Sequence, residues 1–338
     1  MKFIHLADVH LGDKFDITSS LSKRVRGLSW KSLSNILNAN KDVDFALIAG
    51  DLFERSYFSS KDFKRLFEIF ESFGKDIYYV SGNHDYFDGY TDIFFANGPA
   101  NLHVFPSDRL GVYEDNSTRI YGISYRDRVF NQEVDLGIDL DKNFFNILLI
   151  HSDVGREGSK YCNLNEEDII SSDFGYIALG HIHKAQAIAK AFYPGSIEPH
   201  SFTDTNNYGY IRYDDGKVSF VDSSITKFVD MKVNLSDFSS AKDLLAVVNN
   251  KLSEDKKNFL RLTISLMEDI DLGQLKKYID ADFVEIIKKE DFDFDKIISL
   301  YPNSLLSKYY DKFKGKTSEK DKLARDMGLD AILRSRND

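Results

Sequence analysis

The chain is poor in cysteine. It has one, Cys162, so no internal disulfide can form and a reducing compartment is expected. No activating pattern surrounds that thiol, which removes it as a candidate nucleophile. Long apolar runs are also missing, and none approaches the roughly 20 residues that span a bilayer. The opening residues, Met1-Lys2-Phe3-Ile4-His5-Leu6-Ala7-Asp8, turn acidic too soon for a secretory leader. These absences lead to the expectation of a soluble, cytoplasmic protein without a membrane partner. Basic charge is in deficit as well: 44 Lys and Arg against 54 Asp and Glu give a net charge of −10. That argues against a general polyanion binder, which needs clustered cations. It does not exclude a nuclease, because metal-binding carboxylates add negative charge that cations offset.

What is present is a chain of 338 residues, 42% hydrophobic and 14% aromatic, enough for a sizeable core and about two domains. Residues 1–225 alternate strand-like and helix-like stretches, the pattern of an α/β domain. Leu21, Val25, Leu28, Leu33, Ile36 and Leu37 recur at helical spacing over 20–40. Phe63, Leu66, Phe67 and Phe70 mark one face of a helix over 59–74 that Gly74 stops. The gap between Asp51 and Asn83 holds one crossover helix, as parallel strands require. From residue 102 the chain turns strand-rich, and Tyr208 to Val221 reads as a hairpin around Asp214-Asp215-Gly216. Residues 226–293 read as a smaller α/β unit and 294–338 as a helical, Lys-rich tail. In that tail Leu305, Tyr309 and Phe313 fall at i, i+4 and i+8, and Ser318 with Asp321 resembles a capping box.

Five short motifs follow apolar, strand-like runs: Asp8-Val9-His10, Gly50-Asp51, Gly82-Asn83-His84-Asp85, His151, and Gly180-His181-Ile182-His183. Ligands of open α/β sheets gather outside the carboxyl ends of strands. Asp8 and His10, two apart on extended chain, would face one side and clamp a cation. A tight Gly turn frees the carboxylate of Asp51, the candidate bridge. Asn83 offers a neutral oxygen, His151 and His181 complete a second set, and His183 returns to the first. The mixture of oxygen and nitrogen donors, without thiolate, suits Mn²⁺, Fe²⁺ or Zn²⁺. Two such ions about 3.5–4 Å apart activate water and neutralise phosphoryl oxygens. His84 is kept off the metals to protonate the leaving oxygen, tuned by a neighbouring carboxylate for which Asp85 is the candidate. Any one of these motifs alone reads equally well as a turn or a cap, Gly-Asn above all. Their ordered recurrence, which takes up five of the eight histidines, is what carries the reading.

The set resembles the calcineurin-like metallophosphoesterase superfamily, and in detail its DNA repair exonucleases of SbcD and YhaO type. Asp8-Val9-His10-Leu11-Gly12, Leu179-Gly180-His181-Ile182-His183-Lys184, and Tyr193-Pro194-Gly195-Ser196 with Phe202 and Tyr208-Gly209-Tyr210 carry the likeness over about residues 1–235. The resemblance implies a four-layer αββα sandwich (1–225), and the α/β unit over 226–293 resembles the family's capping domain in layout; the helical tail (294–338) reads either as a partner-binding segment or as a stripe that packs on its own domain. The resemblance also implies two metals, often Mn²⁺: one on Asp8, His10, Asp51 and His183, the other on Asp51, Asn83, His151 and His181. His84 would act on the phosphodiester of DNA. A large coiled-coil ATPase of SbcC type is the implied partner, and a homodimer stays open. One departure stands out: many of these nucleases carry a second active-site histidine three residues after the Gly-Asp aspartate, where this chain has Glu54.

Further residues have two readings each. Arg126, Arg128 and Tyr86 are candidate substrate contacts, for phosphate and for bases respectively. Lys23, Arg24, Arg26 and Lys31 form a basic run that reads first as a solvated helix face. His200 follows the Pro-Gly-Ser loop and reads first as an ordinary loop histidine, second as one that approaches the site; His5 reads as a core residue, and His103 has no functional case. Three functions compete: a metal-dependent nuclease subunit of a repair complex, a small-molecule phosphoesterase or pyrophosphatase, and a mainly structural subunit that docks an ATPase.

Overall fold

A computed structural model describes residues 1–12, 27–130, 134–202, 207–266, 272–290 and 298–335. The chain separates into two compact units. The first comprises Met1–Asp230, Asn249–Arg261 and Asp280–Val284; the second comprises Met231–Val248, Leu262–Ile279 and Glu285–Asp338.

The first unit begins with three parallel strands, Lys2–Leu6 (β1), Phe45–Ala49 (β2) and Asp76–Val80 (β3), joined on to a short fourth, Leu102–Val104 (β4). Helices Leu28–Ala39 (α1) and Ser60–Phe73 (α2) make the crossovers. The part of the expected first helix over 20–26, with Lys23, Arg24 and Arg26, lies outside the described residues. Helix α2 starts and stops where its residues dictate. Ser59 and Asp62 form a reciprocal capping box, and Gly74 ends the helix in the left-handed region at φ 70°. Gly89–Ala96 (α3), capped by Asp88, was not expected from the sequence: eight residues with Thr91 and Asp92 ahead of Ile93, Phe94 and Phe95 are too few to show a helical stripe.

A second sheet follows: Gly111–Asp115 (β5), Thr118–Ile123 (β6) and Phe145–His151 (β7), then, past the two-residue strands Asp153–Val154 (β8) and Asn163–Leu164 (β9) and the helix Glu166–Ser171 (α4), Tyr176–Gly180 (β10), Gln186–Ile188 (β11) and Ala191–Tyr193 (β12). The chain then returns to the first sheet with the hairpin Gly209–Asp214 (β13) and Lys217–Asp222 (β14). The left-handed turn residues Asp215 (φ 46°) and Gly216 (φ 92°) match the twist of a tight hairpin. The two six-stranded orders are β14-β13-β1-β2-β3-β4 and β11-β12-β10-β7-β6-β5.

Three apolar layers identify the sandwich. Phe3, Phe45, Leu47 and Tyr78 of the first sheet meet Ile120, Ile147, Leu149 and Tyr176 of the second. The alternate residues Ile4, Leu6, Ile48 and Tyr79 turn the other way, onto Trp30, Leu33, Phe63 and Phe70 of α1 and α2. On the far side, Leu148, Ile150, Ile177 and Leu179 pack with Ile169 of α4 and with Phe174. Strands buried on both faces are why β2 and β10 read as unbroken apolar runs. The architecture is the expected αββα arrangement. It delivers the carboxyl ends of β1, β2 and β3 from one sheet, and of β7 and β10 from the other, to the same edge.

Thr226–Asn234 (β15), Lys257–Leu266 (β16) and Phe283–Glu290 (β17) form a three-stranded sheet in that order, with helices Ala241–Asn249 (α5) and Leu272–Lys277 (α6) between them. The second unit ends with Leu305–Asp311 (α7) and Glu319–Arg334 (α8). Ser318 accepts the Asp321 amide at 3.1 Å, as a helix start requires. The Leu305, Tyr309, Phe313 stripe does not form on one helix, because α7 ends at Asp311. Leu306 is buried there and Leu305 is 61% exposed. Among the described residues, no helix is long and apolar enough to cross a membrane.

Candidate metal centre

The strand ends are held in conformations that L-residues avoid. Asp8 (φ 51°), His10 (φ 48°), Asp51 (φ 50°) and His181 (φ 97°) are all left-handed. Asp8 and His10 therefore do not share a side by strand alternation, as expected; each is turned individually at a cost of order 1–3 kcal/mol, and such strain persists only where the surroundings over-determine it. Here they do. The Asp8 amide donates to the Gly50 carbonyl at 3.1 Å and the His10 amide to the Asp51 carbonyl at 3.0 Å. Across the sheets, the His181 amide donates to both oxygens of Asp8, at 3.0 and 3.2 Å. Gly180 has to be glycine because a Cβ there would fall on the Ala49 carbonyl, and a Cβ at Gly82 would strike the Asp51 carboxylate and the His151 ring.

His151 donates from Nδ1 to the Ala49 carbonyl at 2.9 Å, so its Nε2 is the atom turned to the donor set; burial would lower this ring, but the charge of Asp51 beside it raises it to about 9, and a divalent ion binding there would take the place of that proton. That Nε2 lies 3.2 Å from Asp51 Oδ2, 3.0 Å from Asn83 Oδ1 and 3.2 Å from His181 Nδ1. Four electron-pair donors facing one another repel unless a cation sits among them, so this set fits a divalent ion. A second set adjoins it. Asp8, His10 and His183 bring donor atoms within 4.8 Å of one another, as do Asp51, His151 and His181, and as do His10, Asp51 and His84. Nε2 of His10 lies 3.1 Å from Nε2 of His183 and 4.0 Å from Asp51 Oδ2. Every metal-ligating residue expected from the sequence is thus brought to one place, with Asp51 touching both sets. Burial pushes His10 down, His181 down to about 4 and His183 down to about 2, so these imidazoles are neutral, as ligands must be.

Residues 1–185 match the calcineurin-like phosphoesterase family. The chain belongs to it. Its relatives include the uncharacterized metallophosphoesterase YhaO of Bacillus subtilis, 32% identical over 248 residues, which covers 65% of this chain and 59% of that protein. The DNA double-strand break repair protein Mre11 of Archaeoglobus fulgidus is 35% identical over 92 residues, 25% of this chain and 19% of that one. The chain therefore spans about three fifths of the length of the first relative and a smaller part of the second.

In this member of the family the residues around the donors hold the main departures from expectation. Asp85 does not pair with His84. It turns inward, where its carboxylate accepts the Gly82 and Leu52 amides and the Tyr79 hydroxyl, each at 2.6 Å, and the Asp51 amide at 3.2 Å. A wholly buried carboxylate needs such donors, and the converging ends of β2 and β3 supply them. Asp85 is a buttress of both loops.

The carboxylate beside His84 is Glu54. One oxygen, Oε1, lies 2.8 Å from His84 Nδ1 and 2.7 Å from His10 Nδ1. It fixes both tautomers, aiming Nε2 of His10 into the donor set and leaving Nε2 of His84 free at the half-exposed edge. Burial alone would lower His84, but the bond to Glu54 and the charges of Asp51, Glu54 and Asp85 raise it to about 9. Burial would likewise raise Glu54, but its bonds to His10 and His84 bring it down to about 2. The neighbouring Arg55 covers the Tyr86 ring at 4.6 Å, donates to the Tyr86 hydroxyl at 3.1 Å and pairs with Asp88. Tyr86 is therefore half-covered rather than open to a base.

Asp153 plays a similar part on the other side. Its Oδ1 lies 3.7 Å from His181 Nε2, and Ser159 donates to its Oδ2 at 2.6 Å. Asp153 was not expected from the sequence; the His-x-Asp spacing from His151, which mirrors Asp8-x-His10, is the signal that could have found it. His200 is not an ordinary loop histidine: its ring lies 5.0 Å from that of His10 and 5.7 Å from that of His183. The sequence marks that position only by its place just after the Pro194-Gly195-Ser196 loop. Arg126 and Arg128 are exposed and touch none of the donors. His5 is buried between the sheets against the Tyr176 hydroxyl, and His103 pairs with Asp76.

Proposed function

We propose that this chain is a metal-dependent DNA nuclease that hydrolyses phosphodiester bonds with two divalent ions, Mn²⁺ in the cell, as the nuclease subunit beside a coiled-coil ATPase of SbcC type. The observation that carries the hydrolytic part is the juxtaposition of a carboxylate-backed His84 with two donor sets that share Asp51. The likeness to a DNA double-strand break repair protein supports DNA as the substrate.

The two ions supply Lewis acidity at the phosphoryl oxygens and an activated water. Asp8, His10, Asp51 and His183 would hold one, and Asp51, Asn83, His151 and His181 would hold the other. The Ala49 carbonyl and Asp153 keep His151 and His181 presenting the right nitrogen. His84 holds a proton on Nε2 at neutral pH and gives it to the departing sugar oxygen. Glu54 accepts the Nδ1–H of His84 throughout and stabilises the imidazolium, as an orienting carboxylate does.

The test is incubation with Mn²⁺, labelled single- and double-stranded DNA and, in parallel, a small chromogenic diester. DNA cleavage lost in His84→Ala with metal retained is expected. Turnover of the small diester with DNA untouched would instead establish a small-molecule phosphoesterase, the reading that the acidic net charge favours. Co-purification with a coiled-coil ATPase tests the partner.

A further inference from the structure

A nuclease with a net charge of −10 has to attract a polyanion to a site that is itself lined by carboxylates. Two loops at the rim answer that need. The first runs from Tyr125 to Phe130 and carries Arg126 and Arg128; the second runs from Gly155 to Cys162 and carries Arg156 and Lys160. All four cations are exposed. The loops are stitched together, the Phe130 amide to the Lys160 carbonyl at 3.1 Å and the Cys162 amide to the Tyr125 hydroxyl at 2.9 Å.

Both loops are also fastened to the donor residues. Tyr125 stands edge-on to His151 at 5.6 Å between centroids, and Tyr161 lies 4.4 Å from His181. The Phe87 amide donates to the Tyr125 carbonyl at 2.9 Å, which sets Arg126 beside the segment that carries Asn83 and His84. Arg156 leans on Asp153 at 3.6 Å. Among the described residues, Arg126, Arg128 and Lys160 have no ion pair. The acids on the same loops are Asp127, which takes the Arg128 amide, and Glu157, so the pair of loops keeps a local excess of two positive charges.

We propose that these two loops form a track for the phosphate backbone of duplex DNA, entering the centre from the His151 and His181 side. Cations on buttressed loops next to the reacting phosphate neutralise its neighbours along the strand, fixing register without reading bases. The inference rests on the nuclease reading above.

Its test is the salt dependence of duplex binding by the full chain, in a His84→Ala background so that the DNA survives. Arg126→Ala, Arg128→Ala and Lys160→Ala together should reduce the slope of log K against log [KCl] by roughly 2.7, about 0.9 for each phosphate no longer neutralised. A second triple, Lys75→Ala, Lys142→Ala and Lys217→Ala, removes the same charge from the opposite edge of the sheets and should leave the slope unchanged. Duplex binding with equal slopes in both triples would overturn the track and leave the nuclease reading standing. A parent that binds no duplex at any salt concentration would remove both.

Discussion

The two halves of the metal centre are backed differently. On the Asp51, Asn83, His151, His181 side, the orienting groups are a backbone carbonyl, that of Ala49, and the carboxylate of Asp153, and His151 is wholly buried. On the Asp8, His10, His183 side, one carboxylate oxygen of Glu54 serves a metal-ligating histidine and His84 at once. The first half is built only to hold a cation. The second is built to hold a cation and, at the half-exposed His84, a transferable proton. One carboxylate thereby links ligand geometry to acid strength.

The widest test of that contrast is Asp51→Asn. It removes the donor common to both halves, and we expect loss of both metals by elemental analysis and activity down by about 10⁴-fold or more, the scale seen when a whole catalytic unit is dismantled. His84→Ala comes next: about 10²–10⁴-fold in kcat with metal content intact, the usual contribution of one general acid. Should metal fall with activity, the division between cation-holding and proton-holding groups is wrong.

Glu54→Gln is expected to cost about 10- to 100-fold, the range for groups that orient ligands, and to change the pH profile. His84 is raised to about 9, so its proton, and the stability its pairing adds, are present below its ordinary value near 6.5 and are lost as pH rises through about 9. Without the Glu54 charge, the alkaline limb should move to lower pH. Asp153→Asn is the smallest effect: about tenfold weaker metal binding at one site of the two, read by calorimetric titration, with the alkaline limb unmoved. A shifted limb in Asp153→Asn would erase the distinction between the halves.

Much of this was legible in the chain. Strand ends, crossover helix α2 with its capping box and Gly74, the β13–β14 hairpin and the identity of the donors all follow from signals within a few residues of each other. Other features were hidden. Asp85 follows His84 in sequence and yet faces away, because the ends of β2 and β3 surround it with four donors. Glu54 lies 30 positions before His84 and meets it only because those strands are neighbours in the sheet. His200 reaches His10 and His183 from a loop whose sequence shows nothing of that approach beyond the preceding Pro194-Gly195-Ser196, and helix α3 is too short to show a period.

The sequence by itself determined which atoms could bind metal and on which strands they ride, because apolar periodicity and turn chemistry are local properties. The tertiary structure decided which carboxylate backs which histidine and how the two donor sets share Asp51. Those choices depend on distances of a few ångströms between loops of two packed sheets, and only the packing sets them.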